Sequence, residues 1–163
     1  MSNTEMLIRL IGAAVLGSMI GLERERLLWA AGIRTHMLVC AGSCLIMTVS
    51  QYGFSNILTY EHAVLDPSRI AAQVVSGIGF LGASAILARG EIVKGLTTAA
   101  SIWTVAAIGL AVGGALYLAA GASTHHHFDH PGRHRWRPRS HRREESAWYG
   151  LTEGLQQTRV GAA

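Results

Sequence analysis

The stretch Arg69-Ile-Ala-Ala-Gln-Val-Val-Ser-Gly-Ile-Gly-Phe-Leu-Gly-Ala-Ser-Ala-Ile-Leu-Ala-Arg89 holds 19 consecutive residues without a charge, Ile70 to Ala88, with an arginine at each end. As a helix at ~1.5 Å per residue such a run nearly matches a hydrocarbon core of ~30 Å. It also contains Gly77-Ile-Gly79-Phe-Leu-Gly82, the spacing of a dinucleotide-binding turn. That turn has to follow a strand and present its backbone N–H groups to phosphate. Glycines in the middle of an apolar run instead let helix backbones approach closely. The stretch therefore reads as a transmembrane helix, and Gly77, Gly79 and Gly82 as helix-packing positions.

Three more spans follow from the same reading. One runs from about Met6 to Leu22 and contains Gly17-Ser-Met-Ile-Gly21, a GxxxG; Arg9 near its start is placed to snorkel toward the interface. A second runs from about His36 to Tyr52, and a last one from about Leu96 to Ala120, where Gly109 and Gly113 form a second GxxxG. Each span must be helical, because lipid offers backbone groups no partner. With Glu5 and no basic residue before Met6, the first span reads as retained rather than as a signal peptide.

Composition divides the chain in two. Of its 14 Lys and Arg, six lie between Arg133 and Arg143, and of its eight His, six lie between His125 and His141. Residues 1–122 form an apolar domain and residues 123–163 an Arg/His-rich tail, expected to be disordered. The fold class is an all-α integral membrane protein, a bundle of four transmembrane helices followed by a disordered basic tail. The basic balance belongs to the tail, so the chain does not read as a soluble nucleic-acid-binding domain. Cys40 and Cys44, four apart, read as small apolar residues within a membrane helix, and no cofactor or metal site is expected. No P-loop, H-E-x-x-H or G-x-S-x-G occurs, so an enzyme is not expected.

Loop charges set an orientation. Arg24, Arg26 and Arg34 flank the first loop and Arg89 and Lys94 the third, whereas the second has Arg69 beside Glu61 and Asp66. Loops one and three are therefore cytoplasmic and the N-terminus lies outside. An even number of spans then strands the arginine-rich tail outside, in conflict with its charge.

Candidate sites cluster at span ends. Glu23, Arg24 and Glu25 at the end of the first span could bind a partner or a cation, or form a solvated helix end. Arg34 could hold a lipid phosphate or pair with Glu23. Asp66 and Arg69 suit a helix cap and an ion pair. Gln73, polar within a span, has to hydrogen-bond across helices or line a polar cavity. Thr97, Thr98 and Ser101 read as packing hydroxyls. The tail histidines, His125 to His127, His130, His134 and His141, could ligate zinc, nickel or copper, a third class of function.

Four blocks in order, Gly21-Leu-Glu23-Arg24-Glu25, Gly32-Ile-Arg34-Thr35, Asp66-Pro-Ser-Arg69 through Gly82, and Gly95-Leu-Thr97-Thr98 through Trp103, resemble the MgtC/SapB family over about residues 5 to 120. The resemblance implies a bacterial inner-membrane, multi-pass protein with about five helices. It also implies a role in virulence, survival inside macrophages and growth at low magnesium, through membrane partners that include the F-type ATP synthase. A magnesium transporter or channel is the alternative, and a homo-oligomer fits either reading. After Ala120 the family continues with a fifth apolar helix; the His- and Arg-rich sequence here is expected not to insert, and to arise from a frameshift or truncation.

Overall fold

The glycines of the first and last spans decide how the helices meet. The computed structural model describes residues 1–54, 66–89 and 92–129. In order these form α1 (Asn3–Arg26), α2 (Ile33–Thr48) with a π-helical turn at Val49–Gly53, α3 (Pro67–Ser84), β1 (Leu87–Arg89), β2 (Ile92–Lys94), α4 (Leu96–Gly113) and α5 (Tyr117–Phe128). The protein is all-α apart from the short ribbon in which β1 and β2 pair antiparallel, Leu87 opposite Lys94. Met1–Asp129 is one compact unit.

α2 sits between α1 and α4. Buried positions on α1 recur at helical spacing: Arg9, Ala13, Gly17, Ile20, Gly21 and Arg24. A Cβ added to Gly17 would stand 2.6 Å from the His36 carbonyl oxygen, and one on Gly21 2.6 Å from Ile33 Cα. On the other side of α2, a Cβ on Gly109 would collide with the Cys40 carbonyl oxygen, and one on Gly113 would stand 2.6 Å from that of Cys44. Both GxxxG pairs thus face the same helix, and Cys40 meets both. The two thiols are free and fully buried, in a core with Ala13, Ile20, Val105 and Ile108.

The expected set of four spans is corrected to five helices. Among the described residues, three are long and apolar enough to cross a membrane: Asn3–Arg26, Ile33–Gly53 and Leu96–Gly113. α3 is not one of them. It begins with Pro67-Ser-Arg69 and ends at Ser84, so the apolar run Ile70–Ala88 is shared between a helix and the ribbon. Gly82 packs on Ala99, with 3.5 Å between the added Cβ and that of Ala99, but Gly77 and Gly79 meet nothing within 4 Å. Among the described residues no helix packs on either: Gly77 borders an open groove beside α2, and Gly79, two residues on, points to a different side of α3.

The last span is also corrected. α4 stops at Gly113, where Leu116 N donates to the Ala111 carbonyl at 2.8 Å and Ala115 N to that of Val112 at 3.0 Å. This is a Schellman closure with Ala115 in the left-handed region at φ 62°. α5 then folds back, so the boundary read at residue 122 falls inside a helix. Its sequence supports this: Thr124 donates to the Ala120 carbonyl at 2.9 Å, and histidines in a last helical turn oppose the helix dipole. At twelve residues, ~18 Å, α5 is shorter than the hydrocarbon thickness. It ends beside Glu23, at the end of the bundle that carries the first loop. This is the end to which loop charge assigns the cytoplasm. The tail expected to be disordered, 130–163, lies outside the described residues, as do Glu61 and Glu91.

Three outcomes are expected in detergent, read by thermal unfolding. Gly109→Leu, with no room against α2, loses about 3 kcal/mol, whereas Gly77→Leu stays within about 0.5 kcal/mol. Ala115→Gly gains up to about 1 kcal/mol by relieving the left-handed residue.

Candidate functional site

Polar side chains gather at the two ends of the bundle. At the first-loop end, α1 closes with a second Schellman turn: Leu28 N donates to the Glu25 carbonyl at 3.0 Å and Trp29 N to the Arg24 carbonyl at 3.1 Å. The turn swings Trp29 back over Arg24, placing the buried guanidinium carbon 5.1 Å from the ring centroid. Glu25 Oε2 accepts from Ile33 N at 3.0 Å and so caps α2, whose own N-cap is Gly32 and supplies no side chain. Glu23 Oε2 lies 3.4 Å from His127 Nε2, joining α1 to α5.

His36 is fully buried at the same end. Its Nδ1 is 2.9 Å from the Gly32 carbonyl oxygen and its Nε2 3.1 Å from Ser101 Oγ. A neutral ring with its proton on Nδ1 donates to Gly32 and accepts at Nε2. The single Ser101 hydroxyl proton is then shared between His36 and the Thr98 carbonyl, 2.8 Å away. This network ties the start of α2 to the start of α4. Thr98 and Ser101 are buried, while Thr97 is exposed.

At the opposite end Arg9 does not snorkel. It is 4% exposed; its Nη1 donates to the Gly113 carbonyl at 2.7 Å, and its Nη2 pairs with Glu5. It thereby caps the C-terminus of α4 with a cation, where the helix dipole favours one. The Tyr52 ring lies 5.9 Å from the guanidinium carbon.

The residues singled out in the sequence fall into three groups. Glu23, Arg24 and Glu25 come together, each holding a different element. Asp66 and Arg69 form the expected cap and pair: Ser68 N donates to Asp66 Oδ1 at 3.0 Å, and Arg69 Nε stands 3.5 Å from Oδ2. Donation from the Ser68 hydroxyl, then from its backbone N–H, holds the Asp66 carboxyl below the usual range. Arg34 and Gln73 stay apart from both clusters. Arg34 is exposed, and the Glu23 carboxylate suggested for it stands 3.4 Å from His127. Gln73 is exposed too, on the wall of an apolar groove of about 460 Å³ between α2 and α3, lined also by Leu38, Ser43, Ile46 and Gly77.

Sequence reasoning missed Arg9, His36 and His127. Arg9 carried a signal: it lies four, eight and twelve residues before Ala13, Gly17 and Gly21, on the face the GxxxG buries. His127 carried none, since its partner lies about a hundred residues away.

The profile of the MgtC family matches residues 10–128. The chain is 54% identical over 115 residues to the Escherichia coli K12 protein named "Putative magnesium transporter YhiD", covering 71% of this chain and 54% of that one. It is 38% identical over 122 residues to protein SapB of Bacillus subtilis (74% and 53% covered), and 42% identical over 115 residues to protein MgtC of Brucella abortus (71% and 45%). The chain thus spans about half the length of the curated relatives it matches. No solved structure matches it.

Removing the buried cation is expected to cost more than removing an exposed one. Arg9→Met leaves Glu5 and the Gly113 carbonyl without their partner and lowers stability by about 3 kcal/mol, while Arg34→Met changes it by less than about 0.5 kcal/mol. Thermal unfolding in detergent reads both.

Proposed function

We propose, from the premise that this chain belongs to the MgtC family, that it is a regulatory protein of the bacterial inner membrane acting by binding other membrane proteins. The protein is a membrane protein by family and by its three long apolar helices. The observation that carries the regulatory reading is the outward face of α3. Gly77 and Gly79 have open space where a side chain would be, Phe80 is 77% exposed, and the Gln73 amide lies on the same helix. Small residues beside a polar amide suit a close helix–helix contact in lipid. The F-type ATP synthase is the partner the resemblance suggests, with virulence and growth at low magnesium as the processes served.

A cation transporter is the second reading, favoured by the printed name of the Escherichia coli relative. Against it stands the placement of the described carboxylates. Glu5, paired with Arg9, and Asp66 lie toward one end of the bundle, and Glu23 and Glu25 lie toward the other. Ion relays generally use a carboxylate near the middle of a span, and none of these four lies there.

Crosslinking in native membranes with mass spectrometry separates these readings when joined to flux measurements on the purified protein. The expected result is a set of membrane-protein partners that shrinks several-fold in Gly77→Leu while the amount of folded protein holds. Protein-dependent magnesium movement in proteoliposomes containing this chain alone would overturn the proposal.

A further inference from the structure

α5 is the helix with the weakest hold on the bundle. It packs against α4 and α1, and of its twelve residues Ala120 and Thr124 are the buried ones. Phe128, one turn further on, is half-buried against the core. Along the first half of α5 an open groove of about 410 Å³, bordered by Gly12, Val15 and Gly121, separates it from full contact with α1. At its far end the spacing closes, and His127 (11% exposed) meets Glu23 (17% exposed) at 3.4 Å.

We infer that His127 and Glu23 form a proton-dependent latch that fastens the C-terminal end of α5 to α1, tightening as pH falls from neutral toward 5.5. The imidazole attracts the carboxylate when protonated and carries no charge when neutral. Imidazole ordinarily gains its proton near pH 6.5, and a glutamate keeps its charge down to about 4.3. Docking that creates this pair therefore takes up a proton, and its strength falls as pH rises through the imidazole range.

The surroundings decide which groups can compete. α4 carries no titratable side chain between Leu96 and Gly113. α1 presents Glu23 and, beside it, Arg24, whose guanidinium lies over Trp29. Glu25, the next carboxylate on α1, is committed to Ile33 N. On α5 itself His125 and His126 are exposed, and Asp129 follows the helix. Solvent reaches those two imidazoles in the docked state, whereas His127 is enclosed against a carboxylate.

The latch is independent of the regulatory reading above and is tested on the full chain in lipid nanodiscs. Backbone hydrogen exchange of residues 125–128, corrected for its intrinsic pH dependence, reports opening of this end. Protection should be about threefold to fivefold greater at pH 5.5 than at pH 7.5, the size expected of a weakly exposed ion pair, while α4 does not change. His127→Gln and Glu23→Gln should each flatten this dependence, and His126→Gln should keep it. Wild-type protection that does not vary over this range overturns the latch without reference to any variant. So does a pH dependence that survives both Glu23→Gln and His127→Gln.

Discussion

The close approach of two glycine-bearing helices to opposite sides of α2 is the constraint on which the rest of this structure depends. In water, burying large side chains could hold such a bundle together. In lipid that driving force is absent between helices, and backbone proximity with its dispersion contacts replaces it. Gly17 and Gly21 admit the backbone of α2 at His36 and Ile33, and Gly109 and Gly113 admit it at Cys40 and Cys44. The size of Cys40 follows from this position, since its Cβ stands against Gly17 while its carbonyl oxygen stands against Gly109. Its burial among Ala13, Val105 and Ile108 gives it a packing role.

Helices brought this close must also settle their ends. The Schellman turn pairs the Ala111 and Val112 carbonyls of α4, and Arg9 reaches from the opposing helix to bond that of Gly113. Its charge is tolerable there because Glu5, one turn earlier, neutralises it. At the other end His36 bonds the Gly32 carbonyl and Ser101, so a buried polar group fixes the register of α2 against α4. Each cluster thus completes a helix end and links two helices.

Much of this was legible in the sequence wherever neighbours in space were neighbours on one helix. The GxxxG pairs, the Asp66-Pro-Ser cap and the apolar length of α1, α2 and α4 are local patterns read with local rules. The errors arose where a local pattern competed with a distant contact. Ile70–Ala88 scored as a span by charge alone, yet its end pairs as a ribbon so that Gly95, at φ 93°, can turn the chain into α4. Composition marked His125–His127 as tail because histidines are costly in lipid, but the helix that carries them is short and emerges beside a carboxylate from residue 23. A fifth helix is present in the chain, twelve residues long and too polar to be recognised by hydropathy.

The unevenness of packing is informative in itself. α1, α2 and α4 are locked by glycines that tolerate no added atom, while α3 turns two of its three glycines to open space and keeps an exposed amide at Gln73. Glycine in a helix costs about 1 kcal/mol relative to alanine, and a polar amide facing lipid costs more unless it finds a hydrogen bond. The described residues return nothing within the chain for either cost at Gly77, Gly79 or Gln73. A face with these properties is better suited to another polypeptide than to lipid, because a helix laid across it would gain a close backbone contact and a hydrogen-bonding amide together. This asymmetry between a locked core of three helices and a fourth whose small-residue face is open favours a protein that works by association.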